Sequence, residues 1–490
     1  MTKHLIAIAA TDAIRIAVES GGLFRKSVPI LIVVLLMAAC SRGSDRNIAQ
    51  TTATVPPANR PSPIPTSVPA ATGAIATPAA WREWVASGEK PESHFGFSVG
   101  TAGDVNGDGY ADVVIGADRY VGWTGRAYVY TGSTSGLSAT PFFTATGQDN
   151  NNHFGFSVGT AGDVNGDGYD DIIVGAYHYV DFTGRAYVYA GGASGMTVIF
   201  TATGENRGDY FGRSVGTAGD INGDGYTDVI IGAPHYGNYA GRVYVYAGGP
   251  GGLNPMPIFT VTGEDVGNTF GSSLGTAGDV NGDGYTDVIV GAPGYKDTGR
   301  AYVFAGGPLG LSDTPISTIT GESVSDSLGF SVATAGDVNG DDYDDVIIGA
   351  FGYNGNTGRI YVFAGGPRGL RATPIFTVTG EGRESYFGRS VATAGDVNRD
   401  GYADIIIGAF GYGRNTGRIY IYAGSSSGLS ATPIFTATGE GIENCFGKSV
   451  GMAGDVNKDG YADVIVGAYC HDNAAGRAYV YPGVVIQETR

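Results

Sequence analysis

Seven acidic loops of one pattern carry the clearest chemistry in this sequence. Each loop reads D-[VI]-N-x-D-x-Y-x-D, and the copies begin at Asp104, Asp163, Asp220, Asp279, Asp337, Asp396 and Asp455. Oxygen ligands at positions 1, 3 and 5, a backbone carbonyl at position 7 and a carboxylate at position 9 suit a hard cation such as Ca²⁺. Glycine at position 6 permits the left-handed turn that wraps the loop around an ion. The pattern therefore predicts up to seven calcium sites.

The predicted ligands occupy the same five positions in every loop, with the tyrosine contributing its carbonyl oxygen. They are Asp104, Asn106, Asp108, Tyr110 and Asp112; Asp163, Asn165, Asp167, Tyr169 and Asp171; Asp220, Asn222, Asp224, Tyr226 and Asp228; Asp279, Asn281, Asp283, Tyr285 and Asp287; Asp337, Asn339, Asp341, Tyr343 and Asp345; Asp396, Asn398, Asp400, Tyr402 and Asp404; and Asp455, Asn457, Asp459, Tyr461 and Asp463. The fifth loop has Asp342 in place of glycine, so we expect a distorted or weaker site there. The alternative is an acidic turn that binds no metal.

The overall charge favours bound cations. The 490-residue chain has 47 acidic and 29 basic side chains and a net charge of −18, which seven Ca²⁺ ions would bring to −4. Without metal, the three carboxylates of each loop would repel one another. An acidic surface of this kind argues against a nucleic-acid partner, because phosphates would be repelled.

The loops belong to a unit that repeats seven times. Phe-Gly recurs at intervals of 57–59 residues, with Leu328 in place of Phe once. Each unit has four strand signals, which in the first unit are residues 98–102, 112–117, 126–130 and 142–146. Four-stranded units at a fixed period predict an all-β fold, a seven-bladed β-propeller.

The two ends of the repeat region predict how the ring closes. The chain ends on the third strand of the last unit, 477–481, and no fourth-strand segment follows. A lone match to that segment, 84–89, precedes the first unit. We therefore expect the N-terminal strand to complete the seventh blade of a propeller domain that covers 81–490.

The N-terminal part reads as an export signal and a tether. An apolar run, 28–39, follows Arg25 and Lys26 and is too short to span a bilayer. The segment 36–40, LMAAC, resembles the bacterial lipobox, with Met37 where leucine is usual. The resemblance implies a lipoprotein-type signal peptide, 1–39, and lipidation of Cys40; plain secretion or an uncleaved anchor are the alternatives. Residues 40–80 are rich in Pro, Thr and Ser and should form an extended tether.

The repeat unit resembles the FG-GAP repeats of the integrin α-subunit propeller and of bacterial surface proteins that share them. Gly-Ala-Pro occurs literally at 232–234 and 291–293, and Gly-Ala-Tyr, Gly-Ala-Phe or Gly-Ala-Asp occurs in the other units. The resemblance covers about 81–483. It implies a seven-bladed propeller with calcium in the acidic loops, and a ligand-binding face opposite those loops.

Aromatic residues gather in the loops expected on that opposite face, before each Phe-Gly and after each Gly-Ala. Rings with polar tips supply contact area at low entropic cost. Packing of each ring on its own blade is the alternative. The first two blades have the densest cluster, so the candidate ligand-binding residues are Tyr120, Trp123, Tyr177, Tyr179, Phe182 and Tyr236.

Other loop residues give weaker signals. Cys445 and Cys470 fall in two loops expected on the same face of one blade, so we expect a disulfide in an exported protein, with two free thiols as the alternative. The tripeptide 207–209, Arg-Gly-Asp, is interpreted as a chance occurrence in a Gly/Asp-rich loop. Five of the six histidines lack zinc or triad spacing and are interpreted as surface residues: His94, His153, His178, His235 and His471.

Together these patterns predict a function in binding rather than catalysis. We expect a calcium-stabilised binding or adhesion module, tethered to a bacterial cell surface or secreted, that recognises an extracellular protein or glycan. It would contact the membrane only through its lipidated N-terminus. The alternatives are an extracellular carbohydrate-active lyase or hydrolase built on a propeller, and a structural component of the envelope.

Overall fold

The computed structural model describes residues 84–483. The segments expected to be a signal peptide and a tether, together with Cys40, lie outside the described residues. In the described range, no helix is both long enough and apolar enough to cross a bilayer.

Seven antiparallel four-stranded sheets make up residues 84–483, and we call them blades 1 to 7 in chain order of their first strands. The first strands are Phe95–Gly103, Ser157–Gly162, Ser214–Gly219, Ser273–Gly278, Ser331–Gly336, Ser390–Gly395 and Ser449–Gly454. The second strands are Asp112–Ala117, Asp171–Ala176, Asp228–Ala233, Asp287–Ala292, Asp345–Ala350, Asp404–Ala409 and Asp463–Ala468. The third strands are Arg126–Tyr130, Arg185–Ala190, Arg242–Tyr246, Arg300–Phe304, Arg359–Phe363, Arg418–Tyr422 and Arg477–Tyr481. The fourth strands are Phe143–Thr146, Thr197–Thr203, Phe259–Thr262, Ser317–Thr320, Phe376–Thr379 and Phe435–Thr438 in blades 1 to 6 and Trp84–Ser87 in blade 7.

The second strands form the core of the blades because both of their faces are covered by neighbouring blades. All six residues of each second strand are buried. Their Val and Ile side chains fit a pleated surface, as the apolar run in the sequence predicted. A close approach explains the glycine of each Gly-Ala pair: a Cβ on Gly291 would lie 1.9 Å from the Gly329 carbonyl oxygen of the next blade.

The first strands line the centre of the ring, where each contacts the first strands of both neighbouring blades. In blade 1 this strand is longer than the predicted 98–102, because Phe95 also pairs with Ala117 across a register shift. Phe95 is 1% exposed and packs edge-on against Tyr128. The Phe of every Phe-Gly is likewise buried and belongs to the hydrophobic core.

The N-terminal strand closes the ring, as predicted. Trp84–Ser87 pairs antiparallel with Arg477–Tyr481 from Trp84 opposite Val480 to Ser87 opposite Arg477. The Trp84 indole N–H also donates to the carbonyl of Ser138, at 3.1 Å. The all-β, seven-bladed propeller predicted from the repeats is therefore confirmed, including the closure of its last blade.

A short helical turn follows each second strand, which the sequence did not predict. The turns are Tyr120–Trp123, Tyr179–Phe182, Tyr236–Tyr239, Tyr353–Asn356, Tyr412–Asn415 and His471–Ala474, with a 3₁₀ turn at Tyr295–Asp297. Each contains left-handed residues, such as Val121 with φ 35°. Four residues are too few for an apolar period to be visible in the sequence.

Candidate calcium loops and the opposite face

The seven acidic loops join first strands to second strands, so they all open on one face, which we call the acidic face. In the first loop the Asp104 carboxylate accepts hydrogen bonds from the backbone N–H groups of Gly107 (2.8 Å) and Gly109 (2.7 Å). Gly107 and Gly109 have φ values of 73° and 83°. The loop therefore wraps around its first aspartate, and glycine supplies the left-handed conformations that this requires.

The last aspartate of each loop is buried. Asp112 is 0% exposed and accepts hydrogen bonds from the N–H groups of Val105 (2.9 Å) and Gly132 (2.8 Å). Burial raises its pKa to about 7, and the nearby charges of Asp108 and Asp104 add to the rise. The equivalent aspartates are also 0% exposed: Asp171, Asp228, Asp287, Asp345, Asp404 and Asp463. A buried carboxylate beside two others is an environment that a cation would stabilise.

The donor set fits calcium in its chemistry. All the side-chain donors are oxygens of Asp or Asn, which hard cations prefer. The structure turns these oxygens toward the N–H groups of the loop itself. Consequently, within 84–483, no three acidic, His or Cys side chains form a group that could hold a metal on their own. The asparagine and the tyrosine carbonyl would have to complete the set, so calcium occupancy remains a prediction.

The fifth loop, for which the sequence predicted a distorted or weaker metal site, differs from the others in conformation and in its side-chain contacts. Asp342 adopts a left-handed conformation, with φ 65°. The Asn339 amide donates to Asp345, and the Arg371 guanidinium pairs with Asp341 at 2.9 Å. A positive side chain thus already neutralises one of the predicted ligands.

The acidic loops also contact one another around the ring. A Cβ on Gly107, at position 4 of its loop, would lie 2.7 Å from the Tyr169 ring of the next loop. In the last two loops a cation takes the place of this glycine: Arg399 lies 5.7 Å from the centre of the Tyr461 ring, and the Lys458 ammonium lies 4.9 Å from that of Tyr110. The loop tyrosines therefore pack between loops, which leaves their carbonyls as the available donors.

The opposite surface, which we call the variable face, is formed by the loops before each Phe-Gly and after each Gly-Ala. Three of the predicted ligand-binding tyrosines are packed on their own blades there. The guanidiniums of Arg126, Arg185 and Arg242 lie 3.7–3.8 Å from the ring centres of Tyr120, Tyr179 and Tyr236 respectively. Their ring faces are therefore already in use, as the alternative interpretation held.

The other three predicted ligand-binding residues differ in exposure. Trp123 is 45% exposed and Phe182 is 37% exposed. Tyr177 lies deeper, with its ring 4.5 Å from Phe156 and 5.3 Å from Tyr210. Arg119 lies 5.1 Å from the Trp123 ring centre and Phe182 stacks on Tyr210 at 5.1 Å, but the exposed fractions of Trp123 and Phe182 leave an aromatic surface that a ligand could cover.

Cys445 and Cys470 are joined in the structure by a disulfide with a Cα–Cα distance of 5.5 Å. They adjoin a cavity of about 760 Å³ on the variable face, which Asn444 and His471 also line. The Asn444 amide nitrogen lies 2.7 Å from His471 Nδ1. The two cysteines were therefore correctly expected to lie in adjacent loops of one blade.

The interpretation of the histidines as surface residues was wrong for two of them. His94 and His153 are 7% and 5% exposed, and their Nδ1 atoms lie 3.1 and 3.0 Å from the carboxylate of Asp118. Asp118 is 2% exposed, and its hydrogen bonds to both histidines lower its pKa against the opposing effect of burial. This cluster links the start of blades 1 and 2 and has no equivalent in their repeat pattern.

The Arg-Gly-Asp tripeptide is not displayed as an adhesion motif. Asp209 is 4% exposed, and its carboxylate accepts a hydrogen bond from the N–H of Asn206 at 2.8 Å. Arg207 pairs with Asp181. Because the aspartate is turned into the protein, the structure agrees with a chance occurrence of these residues.

Sequence reasoning missed the centre of the variable face, where the residue after each Phe-Gly lies. This position holds Phe in blades 1, 2 and 5, Ser in blade 4, and the cations Arg213, Arg389 and Lys448 in blades 3, 6 and 7. The signal was available, because aligning the seven repeats at Phe-Gly places these residues in one column. We call this ring of seven positions the central mouth.

Comparison with known proteins agrees with the repeat architecture. The model of the FG-GAP repeat family matches residues 95–130, 154–189, 211–246, 270–304, 328–363, 387–422 and 446–481, about half of the chain. This chain belongs to the FG-GAP repeat family. Among curated proteins it is 31% identical over 252 residues to integrin alpha-4 of Xenopus laevis, which covers 49% of this chain and 23% of that protein.

Two other integrins show the same partial match. Integrin alpha-8 of Mus musculus is 32% identical over 240 residues, covering 46% of this FG-GAP chain and 21% of the integrin. Integrin alpha-PS2 of Drosophila melanogaster is 34% identical over 237 residues, covering 45% and 16%. The chain thus spans about a fifth of the length of these relatives. The resemblance to FG-GAP repeats and to the integrin α-subunit is confirmed.

A solved structure also matches the FG-GAP propeller, more distantly. The crystal structure of rhamnogalacturonan lyase YesW aligns with a TM-score of 0.43 and 13% identity, covering 84% of this chain and 74% of the lyase. A similarity of this size does not bear on activity.

Proposed function

We propose that this FG-GAP protein is a calcium-stabilised binding module that recognises an extracellular protein or glycan through its variable face. The observation that carries the proposal is the contrast between its two faces. One face repeats a single loop chemistry seven times, while on the other face the residues directly before and after Phe-Gly vary between blades. The similarity to integrin α-subunits supports a role in adhesion-type binding.

Calcium would act in this protein as a structural ion. In the first loop Asp104, Asn106, Asp108, the Tyr110 carbonyl and Asp112 would hold it. The ion would neutralise carboxylates that otherwise repel one another beside a buried strand end. Because the loop is joined to both the first and the second strand, binding would stabilise the folded blade.

Trp123 and Phe182 are the residues on which we place the ligand contact. They lie at the ends of the helical turns of blades 1 and 2, and both have left-handed backbone, with φ values of 61° and 63°. Exposed rings held on short turns present contact area with little loss of side-chain entropy on binding. An extended tether, 40–80, would hold this face away from the cell surface if Cys40 is lipidated as proposed.

The experiment begins with a glycan array and a panel of purified extracellular matrix proteins. The affinity of the strongest binder is then measured for the double variant Trp123→Ala/Phe182→Ala. We expect a loss of about tenfold or more, as for truncation of interface anchors. The matched control is Val198→Ala/Ile199→Ala, which removes two apolar side chains that are 53% and 40% exposed on the outer strand of blade 2. Equal affinities for the two double variants would show that the ligand binds elsewhere.

A carbohydrate-active enzyme is the second candidate function, and the Asp118 cluster favours it. A buried carboxylate that orients two imidazoles is an arrangement suited to proton transfer. Release of sugars from acidic polysaccharides, abolished by Asp118→Asn, would establish an activity. The absence of turnover on substrates that bind would support the non-enzymatic proposal. A structural envelope component would show neither binding nor turnover.

A further inference from the structure

Three cations occupy equivalent positions around the axis of the propeller. Arg213, Arg389 and Lys448 each follow the Phe-Gly of their blade, just before a first strand. Because the first strands contact one another around the centre, equivalent positions lie at one level of the ring. Three positive charges therefore converge on the central mouth of a chain whose net charge is −18.

Aromatic rings surround these cations. The Arg389 guanidinium lies 4.5, 5.3 and 5.4 Å from the ring centres of Phe330, Phe351 and Phe410. The Lys448 ammonium lies 4.4 Å from that of Phe97, and the Arg213 guanidinium lies 5.3 Å from that of Phe156. Cation–π contacts hold a side chain in place but leave its N–H groups without acceptors.

The three cations have no carboxylate partner among residues 84–483. None of them forms an ion pair there, and Arg389 Nε is buried with no hydrogen-bond acceptor. Asp118, whose charge acts favourably on Lys448, is already bonded to His94 and His153. Burial, followed by the charges of Arg389 and Arg213, lowers the pKa of Lys448 to about 7, which agrees with the convergence of the three groups. An uncompensated positive cluster with unused donors is suited to an anion.

We propose that the central mouth binds a carboxylate of a partner protein, presented by an acidic side chain that enters between Arg213, Arg389 and Lys448. Guanidinium groups match the geometry of a carboxylate, and the aromatic walls exclude water from the contact. The proposal rests on the proposed binding function of the variable face and specifies the chemistry of its ligand.

A protein partner fits this mouth better than an acidic sugar. The rings that could stack on a sugar are engaged with cations or with one another, as in the pairs Phe97–Phe156 at 4.9 Å and Tyr386–Phe410 at 4.9 Å. A single side-chain carboxylate needs no free ring face.

The test uses the protein expressed from the full sequence and three labelled probes, whose binding is followed by fluorescence anisotropy at pH 6 in low salt. The probes are hexaglutamate peptide, hexaglutamine peptide and hexagalacturonate. We expect hexaglutamate to bind at least about tenfold more tightly than either of the others, and sulfate to compete with it. Failure of hexaglutamate to bind, equal binding of hexaglutamine, or tighter binding of hexagalacturonate would each overturn the proposal; the last outcome would indicate an acidic glycan instead.

Variants locate the site. Arg389→Gln and Lys448→Gln should each weaken hexaglutamate binding by about tenfold, and Arg389→Lys should weaken it less than Arg389→Gln, because it keeps the charge but loses the guanidinium geometry. Arg207→Gln, which removes an exposed cation on the same face, is the matched control and should bind as the parent does. Parental binding by the Gln variants would overturn the proposal. If a variant does not fold, competition by sulfate on the unaltered protein still tests whether the hexaglutamate site recognises anions. If mouth variants leave the ligand found by the panel unaffected while Trp123→Ala/Phe182→Ala weakens it, the binding function stands and this inference fails.

Discussion

The acidic face and the variable face of this propeller are built on the same strands but obey different constraints. On the acidic face the loop pattern D-[VI]-N-x-D-x-Y-x-D is retained in all seven blades. On the variable face, the residue before Phe-Gly lies beside the second residue after Gly-Ala, and the chemistry of this pair changes between blades. The pair consists of two imidazoles, His153 and His178, in blade 2 and of Tyr210 stacked on His235 in blade 3. In blade 7 it is the Cys445–Cys470 disulfide.

This difference indicates which face is required by the fold. Each acidic loop has to satisfy its own N–H groups, bury one aspartate and fit against the tyrosine of the next loop, so few residue types are compatible. On the variable face, the position before each Phe-Gly has to meet only a backbone requirement, a left-handed conformation, which His, Tyr, Thr, Ser and Cys all meet here. Its side chains are therefore free to serve recognition.

Removal of calcium should have the largest effect, because it acts on every blade through the acidic face. A site that binds only the folded state contributes about 2.7 kcal/mol when the free ion is at a hundredfold excess over Kd, and several sites add. We expect EDTA to lower the melting temperature substantially and Ca²⁺ to restore it, with Mg²⁺ less effective because it demands a more rigid octahedral geometry. An unchanged melting curve after thorough chelation would refute the calcium interpretation.

Single-loop variants sharpen this prediction. Asp287→Asn in the fourth loop should reduce the stabilisation by calcium more than Asp345→Asn in the fifth, because Arg371 already pairs with Asp341 there. Arg371→Gln should in turn increase calcium binding by the fifth loop. Calorimetric titration of the three variants compares them directly, and equal losses in both loops would contradict the weaker fifth site.

Deletion of the closing strand should have the next largest effect and should act where blade 7 meets blade 1. Trp84–Ser87 supplies the outer strand there, and Ser87 also accepts a hydrogen bond from Arg477 at 3.0 Å. Removing 81–88 exposes the edge of the third strand and opens the ring. Removing 41–80 should leave the melting temperature nearly unchanged. Similar tolerance of the two deletions, measured by thermal melting, would contradict a stabilising closure.

Most of this fold could be predicted from the sequence because each strand signal occurs in seven copies, and the copies together indicate the secondary structure more clearly than any one of them. Seven copies of an apolar run after an aspartate specify a buried strand, even though one copy alone could be a helix segment. The lone fourth-strand match at the N-terminus then specified the closure. The helical turns were missed because four residues with left-handed backbone leave no period to detect.

The site was harder to predict, for a physical reason. Ligand types in the acidic loops follow from local spacing, whereas the Asp118 cluster combines three loops that only the ring brings together. The stacking of Arg126 on Tyr120 likewise depends on a turn that was not predicted. The predicted ligand-binding residues Tyr120, Tyr179 and Tyr236 consequently pack against arginines of their own blades.

Reduction of the disulfide should have a smaller effect that is confined to the variable face. The Cys445–Cys470 link closes a loop with a sequence separation of 25, for which loop entropy gives about 3.5 kcal/mol in the simplest model. Dithiothreitol should lower the melting temperature of the parent but not that of Cys445→Ser/Cys470→Ser. Thiol labelling of the unfolded, unreduced protein is the direct check, and labelling of both cysteines would show that they are free.

A pH dependence at the central mouth is the smallest effect we expect. The folded-state pKa of Lys448 is about 7, because burial disfavours its charged form and Arg389 and Arg213 repel it, whereas an exposed lysine titrates near 10.5. Raising the pH from 6 to 8 therefore removes one of three positive charges from the mouth. Binding of hexaglutamate should weaken by roughly three- to tenfold over this range.

The variant Lys448→Arg separates this titration from that of the neighbouring groups. His94 and His153 lie nearby, bonded to Asp118, so a test on Lys448 itself is needed. Arginine stays charged throughout the range, so the variant should bind hexaglutamate almost equally at pH 6 and pH 8. If the variant keeps the pH dependence of the parent, Lys448 does not control the charge of the mouth. The stability of the parent relative to Lys448→Arg should rise between pH 7 and 10.5, because over this range the unfolded parent lysine holds a proton that the folded one has lost, whereas arginine stays charged in both states.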